Sequence, residues 1–332
     1  MTTAAGLEQT AILDFNDDPR LSRGAKEFLN ILNSAGGPPL ETLSPVEARK
    51  VLVDAQARVN VDLSGIEESE ETIMSDGLTV NLNIVRPEGK TEKLPVFIFI
   101  HGGGWVLGDY PTHKRLVRDL VVESGYAAVF VNYTPTPDAR FPTQINEIYA
   151  ATKWVAENGD DINVDGKNLA VVGNSVGGNM TAATVIKAIE NGGPEIKSLV
   201  MCWPVTDFDT NNETYQQFGK DRFLTKPLME WMFRLYATGE QLKNDYHISP
   251  LDAPDEILSK FPPTFIQVAE SDILRQEGEA FGRKLDSLGV DVSTVRYDGM
   301  IHDFGLLNAL ANEPGVRSLI KHAAAELKHR LG

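Results

Sequence analysis

Short apolar blocks alternate with helical stretches from about Glu70 to the end of the chain. Each block is bounded by Gly, Pro or polar residues, as expected of strands that are buried on both faces. Strands that alternate with helices form a mostly parallel sheet with helices on both sides. The sequence therefore predicts an α/β fold. The predicted strands are residues 94–100, 126–132, 169–172, 198–203 and 264–269.

Two earlier β-rich runs, residues 71–75 and 79–86, are joined through Asp76 and Gly77. An Asp-Gly pair between two such runs is typical of a two-residue hairpin turn. We therefore expect an antiparallel edge that leads into the parallel part of the sheet.

Two segments break the alternation of strands and helices. Before residue 64, Phe28, Leu29 and Leu32 recur at helical spacing, and Ser44-Pro45 opens a second predicted helix. The other segment, residues 207–247, is rich in aromatic residues and has a helical pattern. We interpret both as one helical cap over the C-terminal ends of the strands, with ordinary core helices as the alternative. The predicted division is 1–63 for the N-terminal cap helices, 64–206 for the first part of the core, 207–247 for the cap insertion and 248–332 for the second part of the core.

The charge of the chain excludes some partners. A formal net charge of −16 over 332 residues repels nucleic acids and anionic membranes.

The single cysteine, Cys202, allows neither an intrachain disulfide nor a thiolate metal site. No stretch approaches the roughly 18 apolar residues of a membrane helix, and residues 1–20 lack the pattern of a secretory signal. We therefore expect a cytoplasmic protein without a metal, with assembly as a homodimer left open.

A G-x-S-x-G sequence, Gly173-Asn174-Ser175-Val176-Gly177, follows one predicted strand and opens a stretch with apolar residues at helical spacing. A tight strand-to-helix turn lifts the serine hydroxyl above the sheet, and the helix N-terminus favours an anion that forms there. Phosphate binding is the alternative for a glycine-rich turn, but no Gly-Lys-Ser/Thr ending follows. Ser175 is therefore the predicted nucleophile.

The predicted strand 94–100 ends in His101-Gly102-Gly103-Gly104-Trp105. Three successive glycines cost conformational entropy on folding, so a function is expected of them. Ester hydrolysis places a negative charge on the carbonyl oxygen, which backbone N–H groups stabilise. We predict an oxyanion hole made by the N–H groups of Gly103, Gly104 and Val176, with His101 as a structural hydrogen-bonding residue of the loop.

A serine needs a base to take its proton, and a histidine base needs an acid to orient it. His302 follows the last predicted strand, where its side chain can reach over the edge of the sheet. Asp272 follows the strand 264–269, and the order nucleophile, acid, histidine suits this type of fold. The predicted triad is therefore Ser175, Asp272 and His302. The competing acids are Glu270, Asp298 and Asp303.

Five sequence blocks together resemble those of the bacterial hormone-sensitive-lipase-like esterases, a branch of the α/β-hydrolases. They are HGGGW at 101–105, GNSVGG at 173–178, SPL at 249–251, AESDILRQEG at 269–278 and GMIHDF at 299–304. The resemblance implies an eight-stranded, mostly parallel sheet and a cap made from the N-terminal helices and an insertion after the sixth strand. It also implies short- to medium-chain acyl ester substrates and no cofactor.

Two residues beside the nucleophile depart from the family pattern. Asn174 stands where Asp or Thr is common, so any bracing of the turn that depends on charge is lost. Val176 stands where Ala is common, and we expect it to narrow the pocket in favour of acyl groups of about two to six carbons. We assign Trp105, Trp203 and Phe208 to the substrate pocket, with plain packing as the alternative for Trp105.

Two other functions use the same fold. An amidase or arylformamidase-like hydrolase would apply the same triad to a C–N bond. A non-catalytic small-molecule receptor, like the plant gibberellin receptors, would lack the histidine that is present here as His302. The sequence favours hydrolysis of a small-molecule ester.

Overall fold

An eight-stranded β-sheet forms the centre of the computed structural model, which describes residues 13–332. The strands are β1 (Ile66–Ser75), β2 (Leu78–Pro87), β3 (Leu94–Ile100), β4 (Ala127–Asn132), β5 (Val164–Asn174), β6 (Ser198–Cys202), β7 (Thr264–Ser271) and β8 (Val292–Ile301). Their order across the sheet is β1-β2-β4-β3-β5-β6-β7-β8. Strand β2 is antiparallel to both of its neighbours, and β3 to β8 pair in parallel. The predicted mostly parallel α/β sheet is confirmed.

Helices connect most of the strands. They are α1 (Arg23–Ser34), α2 (Pro45–Ala57), α3 (Tyr110–Ser124), α4 (Thr143–Asn158), α5 (Val176–Asn191), α6 (Glu213–Phe218), α7 (Lys226–Tyr236), α8 (Gly239–Asn244), α9 (Asp255–Leu258), α10 (Arg275–Ser287) and α11 (Pro314–Leu331). Short 3₁₀ helices lie at Leu40–Thr42, Gly159–Ile162, Pro250–Asp252 and Asn308–Leu310. None of the described helices is long and apolar enough to cross a membrane.

Two hydrophobic clusters pack against the two faces of the sheet. Along β3, Val96 and Ile98 belong to one cluster, whereas Phe97 and Phe99 belong to the other. This alternation is the two-residue period of a strand that is buried on both sides. Helices α4, α5 and α10 cover the first face, and α3 and α11 cover the second. The carboxyl ends of the parallel strands are thereby held in one rigid row.

The strand boundaries differ in places from those predicted. The turn between β1 and β2 has both Asp76 and Gly77 at positive φ, as a two-residue hairpin with this sequence requires. Strand β5 begins at Val164, earlier than the predicted residue 169, because its first residues also pair with β3. Strand β6 ends at Cys202, since Trp203 adopts a φ of 36° and leaves the strand direction.

Both segments that interrupt the alternation are helical. The first contains α1 and α2, and Ser44 caps α2 through a reciprocal hydrogen-bond pair with Glu47. The second, between β6 and β7, contains α6, α7 and α8. Residues 1–12 of the predicted cap segment 1–63 lie outside the described residues.

Candidate active site

Ser175 lies in the sharp turn between β5 and α5. Its φ of 57° and ψ of −122° are unusual for a residue with a side chain, and the backbone strain is typical of functional sites. The turn packs closely on its neighbours: a Cβ at Gly177 would overlap the carbonyl oxygen of Ile100, and a Cβ at Gly173 would overlap that of Gly177. The N–H of Ser175 donates to the carbonyl oxygen of Cys202 at 2.8 Å. The local sequence therefore holds this serine rigidly at the end of β5.

The three residues of the predicted triad form one hydrogen-bonded series. Ser175 Oγ lies 3.0 Å from His302 Nε2, and His302 Nδ1 lies 2.8 Å from Asp272 Oδ2. Asp272 follows β7 and also accepts the N–H of Leu274 at 3.0 Å, which fixes its carboxylate. His302 follows β8. All three side chains are buried, so water competes little for these hydrogen bonds.

Charges around His302 favour its protonated form. Burial of the imidazole lowers its pKa, but the charges of Asp272 and Asp303 and the hydrogen bond that His302 donates to Asp272 together raise the pKa above the usual 6.5. A histidine with a raised pKa is a better base for a serine hydroxyl once it has lost its own proton. The site can therefore take a proton from Ser175 and return it.

The glycine loop after β3 faces the same space as Ser175. Gly103 and Gly104 have φ values of 100° and 64°, which residues with a side chain rarely adopt. A Cβ at Gly103 would overlap the carbonyl of Leu107, and a Cβ at Gly104 would overlap the thioether of Met232 from α7. Both glycines line the cavity over Ser175. Val176 is the first residue of α5, where a backbone N–H has no partner within its own helix.

His101 is a structural residue of this loop. Its ring stacks on Tyr133 with centroids 4.1 Å apart, and Nδ1 donates to the carbonyl oxygen of Gly102 at 2.8 Å. Burial lowers the pKa of His101 to about 4, so the ring is neutral at neutral pH. The loop is also tied to the nucleophile turn, because Gly102 N–H donates to Asn174 Oδ1 at 3.0 Å.

A cavity of about 1110 Å³ opens above the triad. Ser175 and His302 lie at its base, and its walls are mainly apolar side chains of the two helical segments. These include Phe28, Leu32, Leu52, Phe223, Leu228 and Met232. A large, mostly apolar pocket with a few polar groups is typical of a small-molecule site.

The three aromatic residues expected in the substrate pocket make their contacts mainly with other parts of the protein. Trp105 is fully buried and stacks on Tyr236 of α7, with ring centroids 4.1 Å apart. Trp203 lies under the site, where its indole N–H donates to Asp303 Oδ1 at 2.8 Å. Phe208 packs against the hydrophobic core. None of these three is among the described residues that line the cavity.

The side chain of Val176 also lies away from the cavity. It is fully buried and is not one of the lining residues. The expected narrowing of the pocket by its methyl groups therefore has no support in the geometry. Met232 occupies the space over Gly104 instead, and sequence reasoning missed it because no pattern shows which face of α7 points at the loop.

The side chains at this site are of the kinds that covalent catalysis uses, and the described residues form no set of metal ligands. The arrangement brings together a serine hydroxyl, an imidazole, a carboxylate bound to the imidazole and backbone N–H groups near the serine, which are the groups that nucleophilic catalysis uses. Within residues 13–332, no group of three or more His, Cys, Asp or Glu side chains is placed to hold a metal ion.

Comparisons with known proteins identify the relatives of the chain. A family model for the alpha/beta hydrolase fold matches residues 97–306. An alpha/beta hydrolase of Acanthamoeba polyphaga mimivirus is 36% identical over 91% of this chain and 86% of its own. An ethyl acetate hydrolase of Pseudomonas putida is 29% identical over 83% of this chain and 87% of its own. The crystal structure of a thermostable esterase from Pseudomonas putida ECU1011 is 51% identical, with a TM-score of 0.94 over 95% of this chain and 99% of that one.

Proposed function

The chain belongs to the α/β-hydrolase fold family, and we propose that it acts as a serine carboxylesterase through an acyl-enzyme intermediate. Its resemblance to the hormone-sensitive-lipase-like esterases is confirmed, and relatives and structural neighbours named for an activity are esterases. The chain is accordingly a carboxylesterase. The observation that carries the proposed mechanism is the series of hydrogen bonds from Ser175 through His302 to Asp272.

In the proposed first half-reaction, Ser175 Oγ attacks the ester carbonyl while its proton moves to His302 Nε2. Asp272 stays ionised, holds the imidazole in the required tautomer and stabilises the imidazolium. The N–H groups of Gly103, Gly104 and Val176 stabilise the negative oxygen, at roughly 2.7 to 4 kcal/mol per donor. The C–O bond to the alcohol then breaks, and the departing alkoxide takes the proton from His302.

In the second half-reaction, a water molecule attacks the acyl-enzyme. His302 takes a proton from this water and returns it to Ser175 Oγ when the acyl bond breaks, so the carboxylic acid leaves and the enzyme is restored. The same base thus serves both steps, and no cofactor takes part.

We propose that the substrates are esters of short- to medium-chain acyl groups. The name of the Pseudomonas putida relative, an ethyl acetate hydrolase, supports a short acyl group. The Met232 thioether over Gly104 limits the room beside the oxyanion loop, which is the glycine loop at residues 101–105. This limited room also supports a short acyl group. The wider apolar cavity offers space to the other half of the ester.

We also propose that segments 1–63 and 207–247 together act as a cap over the site. The support is that α1, α2, α6 and α7 each contribute side chains to the cavity that contains Ser175. The remaining segments, 64–206 and 248–332, would then form the hydrolase core. The cytoplasmic location and the homodimer stay predictions.

A fluorophosphonate tests the nucleophile directly. We expect mass spectrometry to find the adduct on Ser175 and hydrolysis of p-nitrophenyl acetate to stop. Ser175→Ala and His302→Ala should each lower kcat by several orders of magnitude, with little further loss in the double variant, because the triad acts as a unit. Ser198→Ala is the matched control, since Ser198 is also buried and its hydroxyl donates to the carbonyl oxygen of Pro263, away from His302. An adduct on another serine, with Ser175→Ala fully active, would refute the mechanism.

Ester and amide hydrolysis are separated by matched substrates. An ester and an amide of the same acyl and aryl groups should give a kcat/KM that strongly favours the ester. A preference for the amide would support the amidase alternative instead.

A further inference from the structure

A second carboxylate, that of Asp303, lies on the opposite side of His302 from Asp272. Asp303 Oδ2 is 3.9 Å from His302 Nε2, whereas Asp272 binds Nδ1. Asp303 is only 7% exposed and borders the cavity with Ser175 and His302. Both nitrogens of the imidazole therefore face a buried carboxylate.

Asp303 is held in this place by two donors. Its Oδ1 accepts the indole N–H of Trp203 at 2.8 Å and the amide N–H of Asn174 at 3.3 Å. These bonds leave Oδ2 directed at His302. The residue also has a φ of 57°, an unusual backbone conformation that persists only where the surroundings support it.

We propose that Asp303 is a positioning residue for His302. Its carboxylate stabilises the imidazolium from the Nε2 side when the proton leaves Ser175. The inference rests on the proposed serine mechanism. The proton moves from Ser175 Oγ to His302 Nε2 as Oγ attacks the carbonyl carbon, and it later passes to the leaving oxygen. Asp303 gains no proton in this cycle, and its charge lowers the free energy of the state in which His302 is positive.

Asn174 fits this arrangement better than an aspartate would. Its amide makes two different contacts: Oδ1 accepts from Gly102 N–H, and Nδ2 donates to Asp303. An aspartate here would bring two buried carboxylates within hydrogen-bonding distance, and both could not stay ionised. Burial raises the pKa of Asp303, whereas the charge of His302 and the hydrogen bonds from Trp203 and Asn174 act in the opposite direction and favour its carboxylate. The neutral amide of Asn174 therefore supports the charged form of Asp303, and it joins the glycine loop after β3 to the residues after β8.

The charged groups around His302 agree with this role. Asp272 approaches from the end of β7 and Asp303 from the residue after His302, and both charges raise the pKa of His302 against the effect of burial. Tyr215 of α6 and Glu277 of α10 lie beyond Asp272, and burial raises the pKa of both, so they ionise less readily. The neutral Ser175 faces Nε2 from the turn before α5.

The pH profile of Asp303→Asn tests the proposal. Asparagine keeps an oxygen to accept from Trp203 and Asn174 but has no charge. We expect the acid limb of kcat/KM to move to lower pH by about one unit or more, as removal of an opposite charge at such a distance does. We also expect kcat to fall several-fold with little change in KM. Asp303→Glu, which restores the charge, should move the limb back towards the wild-type pH.

Asp298→Asn is the matched control, because it removes one exposed negative charge from β8, close in sequence to His302. It should leave the acid limb unchanged. An unchanged limb in Asp303→Asn, or the same shift in the control, would overturn the proposal. Should Asp303→Asn lose its near-UV circular dichroism, Asp303→Ser should show the same shift, and an unchanged limb there would equally overturn it.

Failure of this inference is distinct from failure of the proposed mechanism. If Ser175→Ala is inactive and Asp303→Asn keeps the wild-type acid limb, only the role of Asp303 is wrong. If Ser175→Ala retains full activity, the serine mechanism itself is wrong.

Discussion

The protonation state of a single residue, His302, sets the pH dependence that we expect of the wild-type enzyme. Its imidazole must be neutral to accept the proton of Ser175, and its pKa is raised above 6.5 by Asp272 and Asp303 against the opposing effect of burial. We therefore predict that kcat/KM for a neutral ester is low under acidic conditions, rises through an apparent pKa above 6.5 and then levels off. Initial rates between pH 5 and 9 check this, and a flat profile would contradict a histidine base.

Acyl chain length is a second property that we assign to one side chain. The Met232 thioether fills the space over Gly104, whereas Val176 does not border the cavity. Met232→Ala should shift the preferred acyl group to longer chains, in steps of at most about 1 to 3 kcal/mol per methylene. Val176→Ala, the matched control, should leave the preference unchanged. The kcat/KM values of p-nitrophenyl esters of increasing length test both, and a shift in Val176→Ala alone would reverse the assignment.

The residues whose positions were most predictable from the sequence are those that depend on chain order and a local turn. Ser175, Asp272 and His302 each follow a strand, and parallel strands bring their carboxyl ends together. The direction of an aromatic ring is not a local property. Trp105 and Trp203 were expected to line the pocket, but their orientation depends on Tyr236 and Asp303, which lie far away in the sequence.

Among the structural elements, helix α2 makes contacts that go beyond covering the site. Arg49 donates to the carbonyl oxygens of Val106 and Thr136, near the oxyanion loop. Seven residues later, Gln56 donates to the carbonyl oxygens of Thr112 in α3 and of Leu306, and it accepts the N–H of Asn308. Leu306 and Asn308 belong to the segment after His302. The helix thus joins the oxyanion side of the site to the histidine side.

We therefore predict that Gln56→Ala impairs both stability and catalysis. The change removes the acceptor of the half-buried Asn308 N–H, at a cost of about 1 to 3 kcal/mol. It also removes one of the donors to the Leu306 carbonyl oxygen, which keeps its hydrogen bond from Arg115. Urea unfolding should show lower stability, and kcat should fall more than KM rises, because the histidine loop loses a support. Lys50→Ala, which removes an exposed ion pair with Asp54 on the same helix, is the control. Wild-type kcat and stability in Gln56→Ala would contradict the role of α2.

Element boundaries were predictable where the sequence carries a local signal. The Ser44-Pro45 start of α2 and the Asp76-Gly77 turn of the β1–β2 hairpin both match the structure. The early start of β5 was not predictable, since residues 164–168 contain polar side chains and join the sheet only by pairing with β3. Tertiary pairing there overrides local composition.

On the scale of the whole molecule, a buried ion pair ties the N-terminal segment to the helical insertion. Asp18 is fully buried and accepts from Arg20 and from Arg222, which is 3% exposed and lies between α6 and α7. The guanidinium groups of both arginines also lie over the ring of Phe218. Asp18 and Arg222 are 204 residues apart in the sequence. Their ion pair thus holds two distant segments together on one side of the cavity.

Asp18→Asn should loosen this connection. The change leaves Arg222 buried without its counter-charge, and breaking one partner of a buried pair costs about 3 to 5 kcal/mol. Burial alone would raise the pKa of Asp18, but the hydrogen bonds from Arg20 and Arg222 lower it from 3.8 to about 2. The carboxylate therefore contributes stability above the unfolded-state pKa, and this contribution is lost as the pH falls through the folded-state pKa.

We accordingly predict that the deficit in the free energy of unfolding of Asp18→Asn is full at pH 7 and shrinks as the pH falls from about 4 towards 2. Denaturant unfolding, followed by tryptophan fluorescence and by far-UV circular dichroism, measures it at each pH. Asp17→Asn is the matched control, because Asp17 is exposed and adjacent. A deficit at pH 7 no larger than that of the control, or one that grows under acidic conditions, would show that the ion pair does not hold the two segments together.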